Sequence, residues 1–283
     1  MKLSIIIATH ARPESLARLL TSLKPQLAES RELLIAENGT PAPATLPQDM
    51  MLAAHIHDPR AGKCRVQNLA VKKATGDILV FLDDDLVVVK DYLDQVQRFF
   101  TYHPEFAAMK GRILAKDDPQ KIAGTDWVYL DLPIADHGDQ VLEVRGVLGA
   151  NMAFRVEALH KAGPFDERLG PGACGHEEET EMSARLRRLG YHIGYSPNAV
   201  VYHEVDPARA DRKRFIRIAQ ERGRCRIIHE PHSAFEVGMK NVVASIRVAL
   251  TSILPVSPER RAREERRLAV ARGMRQGLNG MPK

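Results

Sequence analysis

The sequence predicts an α/β protein with a mainly parallel central sheet, and three observations support this fold class. Short runs rich in Val, Ile and Leu alternate with helical patterns over residues 4–82. Three adjacent aspartates, Asp83, Asp84 and Asp85, directly follow one of these runs. Helical patterns without strands fill the chain after residue 205. We therefore expect a domain over residues 1–205 and a C-terminal helical extension with a basic tail over residues 206–283.

The chain begins with a predicted β-loop-α unit. Residues 4–8 form an apolar run of the length of a buried strand. Pro13 opens a segment with leucines at positions 16, 19, 20 and 23, and this spacing predicts a helix with proline in its first turn. Further strands are predicted over residues 33–36 and 53–57, followed by a helix over residues 64–74 that ends before Gly76.

The three aspartates end the fourth predicted strand, residues 78–82. Carboxylates in this position lie at the carboxyl edge of the sheet, where open α/β sheets bind ligands. Crowded anions repel one another unless a cation joins them, and Mg²⁺ or Mn²⁺ prefers oxygen ligands of this kind. A solvated acidic turn is the alternative interpretation of the same residues.

The middle of the chain is less regular. We expect a helix over residues 91–102 and then a polar, irregular stretch over residues 115–140, and long connections of this kind are often functional. Strands are predicted over residues 144–148 and 152–154, on either side of Gly149, Ala150 and Asn151. A short helix is predicted over residues 156–162.

A run of glutamates opens the next predicted helix, which continues through Leu189. Its apolar positions 182, 186 and 189 define a buried face by their helical spacing. Glu178 and Glu179 project to either side of that face. Glu177 and Glu181 point away from it and complement the helix dipole. A short strand then ends at His203.

Beyond that strand, helices are predicted over residues 208–228 and 234–253, followed by an arginine-rich tail from residue 257. The cations of the first helix are Arg209, Arg212, Lys213, Arg214, Arg217, Arg222, Arg224 and Arg226. Such basic helices suit peripheral contact with an anionic membrane surface or with a lipid diphosphate acceptor. A solvated basic face is the alternative.

The composition is that of an ordinary globular protein of 283 residues, with 44% hydrophobic and 27% charged residues. A net charge of +5 is too small to indicate nucleic acid as a partner. The three cysteines form no CxxC pair, so we expect no disulfide framework and a reducing compartment. No run reaches the roughly 18 apolar residues of a membrane span. We therefore expect a cytoplasmic protein, soluble or peripheral at the inner face of the membrane.

Motifs in order along the chain resemble those of family 2 glycosyltransferases. They lie at residues 4–10, 37–39, 76–85, 149–151, 165–167, 178–181 and 185–203. The resemblance implies the GT-A fold, a Rossmann-like sheet flanked by helices. It also implies an inverting enzyme that takes its sugar from a UDP-, GDP- or dTDP-sugar donor, as in polysaccharide biosynthesis.

The resemblance assigns nucleotide-sugar contacts to the first strand's end, at Ala8, Thr9, His10 and Arg12. His10 stands where the family stacks an aromatic ring on the base. Glu37 stands where a family Asp hydrogen-bonds the base.

Further nucleotide-sugar contacts are implied at Gln67 and Asn68, which replace the family's Arg-Asn pair. Arg65 or Lys63 could supply the missing cation there. Asp83 and Asp84 complete this group of contacts.

A metal site is implied at the family's DxD motif. Asp85 and Asp83, with the late histidine His203, are its expected ligands, and the expected metal is Mn²⁺ or Mg²⁺. Gly149, Ala150 and Asn151 lie where the family contacts the donor sugar or the acceptor, and a plain β-turn explains these three residues equally well.

The resemblance aligns Glu179 with the family's catalytic base, which removes the proton of the acceptor hydroxyl as the hydroxyl attacks. Glu178 is the fallback. The acceptor is expected to be a saccharide or a lipid-linked glycan. The family's processive polysaccharide synthases carry a Gln-x-x-Arg-Trp element. This chain has none after His203, so transfer is expected to be non-processive.

Two other functions remain open from the sequence. A catalytically silent GT-A domain could bind a nucleotide sugar or a glycan. A nucleotidyltransferase also uses clustered aspartates and Mg²⁺, although residues 10–13 lack the glycine-rich, lysine-bearing loop expected of that class.

Overall fold

The computed structural model describes residues 1–44, 46 and 52–280. The strands within these residues are β1 (Leu3–Thr9), β2 (Arg31–Asn38), β3 (Ala54–Asp58), β4 (Ile78–Asp83), β5 (Leu86–Val88), β6 (Phe106–Ala115), β7 (Leu142–Glu143), β8 (Asn151–Arg155) and β9 (His192–His203). The helices are α1 (Pro13–Leu23), α2 (Lys63–Val71), α3 (Tyr92–Tyr102), α4 (Pro119–Ala123), α5 (Val156–Ala162), α6 (Glu178–Arg188), α7 (Arg212–His229), α8 (Ala234–Ile253) and α9 (Pro258–Gly280). Short 3₁₀ helices cover Lys24–Gln26, Gly124–Tyr129 and Pro207–Arg209.

These strands form one sheet in the order β3-β2-β1-β4-β8-β6-β9-β5, with β7 paired to β9. The first four strands are parallel, whereas β8 runs antiparallel to both β4 and β6. The chain leaves β1 for β2 on one side and returns as β4 on the other, so the strand order reverses between β1 and β4. Ligand-binding crevices of open α/β sheets form at such a reversal.

Helices cover both faces of the sheet because its central strands are apolar on both sides. In β1, Ile5 and Ile7 point to one face and Ile6 points to the other, as the two-residue repeat of a strand requires. The first face packs against α1 and α3, and the second packs against α2, α5 and α6. The predicted α/β class with a mainly parallel sheet is confirmed.

The described chain separates into two compact units. The sheet unit comprises Met1–Lys116, Pro133–Glu167 and Glu178–Glu204. The helical unit comprises Asp117–Leu132, Arg168–Glu177 and Val205–Lys283. The division into domains at residue 205 stays a prediction, and residues 281–283 of the predicted tail lie outside the described residues.

Two glycines allow α7 and α9 to approach closely in the helical unit. A Cβ atom at Gly223 would lie 2.1 Å from the carbonyl oxygen of Val270. A Cβ atom at Gly273 would lie 2.0 Å from the carbonyl oxygen of Gln220. Both distances are far inside van der Waals contact, so no larger residue fits. Much of the predicted arginine-rich tail is therefore the helix α9, packed on α7 through backbone contacts.

Four features of the sheet unit differ from the sequence prediction. The strands β5 and β6 were not predicted, because β5 has only three residues and the charged residues Lys110 and Arg112 interrupt the apolar run of β6. Residues 144–148 are not a strand, and the strand in that region is Leu142–Glu143. Leu189, predicted on the buried face of α6, is 53% exposed. The helix ends at Arg188 and Gly190 turns the chain with a φ of +82°, so the helical spacing no longer applies to Leu189.

The expectation of no disulfide is wrong. Cys174 and Cys225 are bonded within the helical unit, with 5.5 Å between their Cα atoms. The bond joins the loop of residues 168–177 to α7. Its partners are separated by 51 residues and match no motif spacing, so only the folded chain brings them together. Cys64 is buried in the sheet unit and takes no part in this bond.

The apolar helix α8 carries two cations, Lys240 and Arg247. Within the described ranges, no helix combines the length and the apolar character needed to cross a membrane, and this includes α8.

We predict that Gly223→Ala lowers the free energy of unfolding by about 1–3 kcal/mol, because the added methyl group collides with the α9 backbone. Gly238→Ala on α8 is the matched control, since a Cβ atom there meets nothing within 4 Å. Removing a helical glycine should raise stability by about 0.5–1 kcal/mol at such a position. Urea unfolding followed by circular dichroism measures both. Equal effects of the two substitutions would contradict the close packing of α7 on α9.

Candidate active site

Thr9 and Asp84 join the carboxyl ends of β1 and β4. The parallel register pairs Ala8 with Asp83, so the next residue of each strand also comes close. Thr9 Oγ1 donates a hydrogen bond of 2.7 Å to Asp84 Oδ2, and both side chains are buried. Burial raises the pKa of Asp84, and the Thr9 hydrogen bond and the charge of Arg12 only partly offset this effect.

Arg12 bridges two of the three aspartates. Its Nη1 atom lies 3.2 Å from Asp84 Oδ1 and 3.1 Å from Asp85 Oδ2. Burial alone would lower the pKa of Arg12, but the charges of the aspartates raise it. Ala11 has a φ of +51°, in the left-handed region, and this turn connects β1 to the arginine.

His203 lies beside Asp85 because β5 pairs with β9, and this pairing sets Leu86 opposite His203. The Nε2 atom of His203 is 3.4 Å from Asp85 Oδ1. Its Nδ1 atom donates to the carbonyl oxygen of Glu204 at 2.9 Å. Histidines that bind metals commonly hold their second ring nitrogen in this way.

These donors fit a divalent cation in part. Asp85 and His203 offer one oxygen and one nitrogen that face each other, and Mn²⁺ accepts both kinds of ligand. Asp83, the third expected ligand, instead pairs with Lys63 at 2.6 Å. Among the described residues, no group of three or more His, Cys, Asp or Glu side chains is arranged to hold a metal. A cation at Asp85 and His203 would therefore need further ligands from substrate or water.

Lys63 connects the aspartates to the glutamates of α6. Its Nζ atom lies 2.6 Å from Asp83 Oδ1 and 3.7 Å from Glu178 Oε1. Burial alone would lower the pKa of this lysine, but the negative charges of Asp83 and Glu178 raise it above its usual value. The lysine is therefore charged and joins the two acidic groups.

Glu179 lies in a crowded acidic environment. Burial and the charge of Glu178 raise its pKa well above the usual value, and Lys63 only partly opposes them. Its Oε2 atom is buried and has no hydrogen-bond partner among the described residues. The charge of Glu179 in turn acts on Lys110, although burial dominates there and lowers the pKa of the lysine.

Gly149 borders the same group of charges. A Cβ atom at this position would lie 3.5 Å from Lys63 Nζ, 3.8 Å from Glu178 Oε1 and 3.9 Å from the Glu179 carboxyl carbon. The absence of a side chain at Gly149 thus leaves space beside both glutamates. The predicted donor or acceptor position therefore lies next to the predicted base.

Two other predicted positions, Asn151 and Ala150, are buried in the sheet unit. Asn151 is fully buried, and its side chain accepts a hydrogen bond from the Tyr92 hydroxyl and donates to the carbonyl oxygens of Arg112 and Ala199. Ala150, next to it, is also buried. Direct contact of these two residues with a sugar stays a prediction.

Asn68 and Gln67 lie on α2. The Asn68 side chain donates to the carbonyl oxygen of Phe165 and accepts from its amide, at 3.0 and 2.9 Å. Gln67 is buried, and its Oε1 atom has no hydrogen-bond partner within the described ranges. Their role in nucleotide binding stays a prediction.

Glu37 ends β2 and is almost fully buried. Its carboxylate accepts hydrogen bonds from the Thr40 hydroxyl at 3.0 Å and from the Ala44 amide at 2.8 Å, and His55 Nε2 lies 3.2 Å away. These contacts fix the residues that follow β2, and a hydrogen bond to a base stays a prediction.

His10 is exposed at the end of β1. Its Nδ1 atom donates to the carbonyl oxygen of Asn38 at 2.7 Å. A Cβ atom at Gly39 would lie 2.8 Å from the ring, so glycine is needed for the ring to take this position. The imidazole is thus held at the sheet edge, where a base could stack on it.

The expected outward orientation of Glu177 and Glu181 is wrong, because both are buried. Glu181 pairs with Arg185 at 2.7 Å in the sheet unit. Glu177 pairs with Arg226 at 3.1 Å in the helical unit. A carboxylate can be buried when a cation compensates its charge, and helical spacing alone does not show such a partner.

Lys110 is the site residue that the sequence prediction missed. It lies on β6, which was not predicted. The available signal was the apolar segment of residues 106–114, in which Lys110 and Arg112 are two residues apart and so share one face of a strand.

Comparison with known proteins identifies the family of this chain. The profile of the family described as glycosyl transferase family 2 matches residues 4–163, more than half of the chain. The chain belongs to glycosyltransferase family 2. It is therefore an enzyme of sugar transfer that acts on nucleotide sugars.

Curated relatives of this glycosyltransferase include a glucosyl-dolichyl phosphate glucuronosyltransferase from Haloferax volcanii. That protein is 22% identical over 224 residues, which cover 75% of this chain and 72% of the relative. The succinoglycan biosynthesis protein ExoM from Rhizobium meliloti is 26% identical over 301 residues, which cover 99% of this chain and 94% of the relative. The O-antigen biosynthesis protein RfbC from Myxococcus xanthus is 28% identical, but the match covers only 18% of that longer protein.

Solved structures with a similar fold include the mannosyltransferase PcManGT from Pyrobaculum calidifontis in complex with GDP-Man and Mn²⁺. It has a TM-score of 0.54 and 15% identity, and the match covers 100% of this chain and 76% of that chain. S. aureus TarS 1–349 has a TM-score of 0.54 and 14% identity, with 98% and 92% coverage. The expected GT-A fold is confirmed.

The raised pKa of Glu179 predicts a pH-dependent stability. A carboxyl group with a raised folded-state pKa stabilises the fold below its unfolded-state pKa of about 4.3, and this contribution is lost as pH rises through the folded-state pKa. Glu179→Gln removes the titration. The free energy of unfolding of this variant, relative to the parent protein, should therefore increase in urea denaturation as the pH rises above about 4.3.

Glu236→Gln is a control of opposite sign. Hydrogen bonds from the Ser233 amide and hydroxyl lower the pKa of Glu236, so its stabilising contribution appears as pH rises. This substitution should cost more stability at neutral than at acidic pH. A difference between Glu179→Gln and the parent protein that stays constant with pH would contradict the crowded environment assigned to Glu179.

Proposed function

We propose that this family 2 glycosyltransferase transfers a sugar, in a metal-dependent and inverting reaction, from a nucleotide diphosphate sugar to the hydroxyl group of a saccharide or a lipid-linked glycan. The observation that carries the proposal is the position of Lys63. This buried lysine contacts Asp83 of the acidic run on one side and Glu178, next to Glu179, on the other. The residues expected to hold the donor and the residue expected to activate the acceptor are therefore separated by one side chain.

Glu179 is proposed as the general base. A base with a raised pKa holds a proton more strongly and accepts it more readily, provided that it is ionised when the acceptor arrives. Lys63 favours that ionised form through its charge. The acceptor hydroxyl would enter the space beside Gly149, lose its proton to Glu179 and attack the anomeric carbon from the side opposite the leaving nucleotide. One base and a direct displacement give inversion without a covalent intermediate.

The departing nucleotide gains negative charge, which must be compensated. Asp85 and His203 are the residues proposed to hold Mn²⁺ or Mg²⁺, and a bound divalent cation would supply Lewis-acid stabilisation of the diphosphate. The Mn²⁺ and GDP-Man bound to the mannosyltransferase of similar fold are consistent with this assignment. Arg12, half exposed beside Asp84 and Asp85, is the nearby protein cation that could contact phosphate oxygens.

The nucleotide is proposed to bind across the ends of β1 and β2, along the predicted contact residues Ala8 to Arg12, Glu37, Gln67 and Asn68. A related TarS structure, in complex with UDP-GlcNAc, has a similar fold. Sugar addition is proposed to be non-processive. Peripheral contact with the inner face of the membrane is proposed as well, since an acceptor carried on a lipid would be presented there.

We predict that Glu179→Gln reduces transfer by at least about 10²-fold and leaves nucleotide-sugar binding unchanged, because the amide cannot accept the hydroxyl proton. Nucleotide release from UDP-, GDP- and dTDP-sugars with Mn²⁺ measures turnover, and calorimetry measures binding. Thr180→Ala, at an exposed neighbouring position of α6, should keep full activity. Normal turnover by Glu179→Gln and loss by Glu178→Gln would reassign the base. Binding without turnover of any donor in the parent protein would favour a silent binding domain.

A second prediction concerns the proposed cation. Asp85→Asn and His203→Ala should each raise the Mn²⁺ concentration needed for half-maximal binding of a nucleotide diphosphate by at least about tenfold, because each removes a ligand. Calorimetry at a series of Mn²⁺ concentrations gives this value without any need for turnover. Asp117→Asn, at an exposed position, should have no effect. Binding that does not depend on Mn²⁺ in the parent protein would refute metal dependence.

A further inference from the structure

The helix α8 touches the rest of the helical unit along a narrow stripe. Its buried residues are Val237, Ala244 and Thr251, which recur every seven positions. Asn241, on the same side, donates a hydrogen bond of 2.8 Å to the carbonyl oxygen of Ala271 on α9. A capping box between Ser233 and Glu236 fixes the start of the helix. The helix is thus well defined, but α9 covers only one of its sides.

The opposite side of α8 is apolar and exposed. It carries Phe235, Met239, Val242, Val243, Ile246, Leu250 and Ile253, each between 43% and 79% exposed. At about 100° per residue, these positions centre opposite the buried stripe. Together with Leu254, which directly follows the helix, they account for eight of the fourteen large apolar residues exposed within the described part of the chain. We call this set the α8 apolar face, and it extends along a helix about 30 Å long.

The charges around this face favour an anionic partner. Lys240 and Arg247 border it on one side, seven residues apart. The single carboxylate of α8, Glu236, is engaged in the capping box. Residues 205–283 contain eighteen Lys and Arg against eight Asp and Glu. Two copies joined through this face would bring two strongly cationic segments together, whereas an anionic surface would be attracted to both the charge and the apolar residues.

We propose that the α8 apolar face inserts into the interfacial region of an anionic lipid bilayer, with the helix lying in the membrane plane. The helix lies flat because its other side is held against α9. This inference deepens the peripheral membrane contact of the proposed function and assigns it to a different element. Several arginines of the basic helix α7 are engaged within the helical unit, as in the pairs of Arg212 with Glu265 and Arg222 with Asp131. The membrane contact is therefore assigned to apolar insertion of α8, supported by the charges around it, and not to a purely electrostatic contact of α7.

Flotation with vesicles of phosphatidylcholine and phosphatidylglycerol tests the proposal on the full chain. The parent protein should float with mixed anionic vesicles and much less with phosphatidylcholine alone. The double substitution Ile246→Asp and Ile253→Asp should lower the partition coefficient at least tenfold, because it puts charge into the apolar contact. Tyr102→Asp is the matched control, since Tyr102 is an equally exposed large residue of the sheet unit, and it should float like the parent protein.

Four outcomes would overturn the proposal. The first is flotation of the double variant equal to that of the parent protein. The second is no flotation of the parent protein with anionic vesicles. The third is complete loss of its flotation in high salt, which would indicate that charge alone holds it to the vesicles. The fourth is a lipid-free dimer of the parent protein that Ile246→Asp converts to a monomer, since a second copy would then cover the face. Nucleotide release by each variant is measured in parallel without vesicles. Unchanged release separates failed membrane binding from a failure of the proposed transfer activity.

Discussion

Three consecutive carboxylates at the end of a buried strand can coexist only if positive groups compensate them, and the site is organised around this constraint. Asp83 pairs with Lys63, Asp84 with Thr9 and Arg12, and Asp85 with Arg12 and His203. Each aspartate thus has a different set of partners, and Arg12 is shared by Asp84 and Asp85. Burial of the central one raises its pKa, and the Thr9 hydrogen bond and the charge of Arg12 only partly offset this effect.

The sheet topology supplies these partners from distant parts of the sequence. Thr9 and Arg12 come from the strand beside β4, because β1 and β4 are parallel neighbours at the point where the strand order reverses. His203 arrives through the short strand β5, which turns back from the aspartates and pairs with β9. Lys63 begins α2, which packs on the second face of the sheet. The same edge therefore collects groups from four segments, and Lys63 extends the cluster to Glu178 and Glu179.

The elements predicted best from the sequence were those whose pattern is local. The βα alternation up to residue 83 and the helix α8 follow from apolar spacing, and the acidic run and the two glutamates are visible as residue types. Lys110 was missed because the charged residues Lys110 and Arg112 interrupt the apolar run of β6, although Pro104 separates this run from the helix α3. The three residues of β5 are too few to show a period. The bond between Cys174 and Cys225 and the burial of Glu177 and Glu181 depend on partners that no local window contains.

The net charge of +5 is the sum of a negative part and a positive part of the chain, and this division bears on donor binding. Residues 1–204 contain 23 Lys and Arg against 28 Asp and Glu, so the part that carries the site has an excess of negative charge. A nucleotide diphosphate is itself an anion and would be repelled by that excess at long range. Binding must then depend on short-range cations, and the site concentrates them: Arg12, Lys63 and Lys110 all lie within electrostatic reach of its carboxylates. The excess of positive charge lies in residues 205–283, which contain eighteen Lys and Arg against eight Asp and Glu.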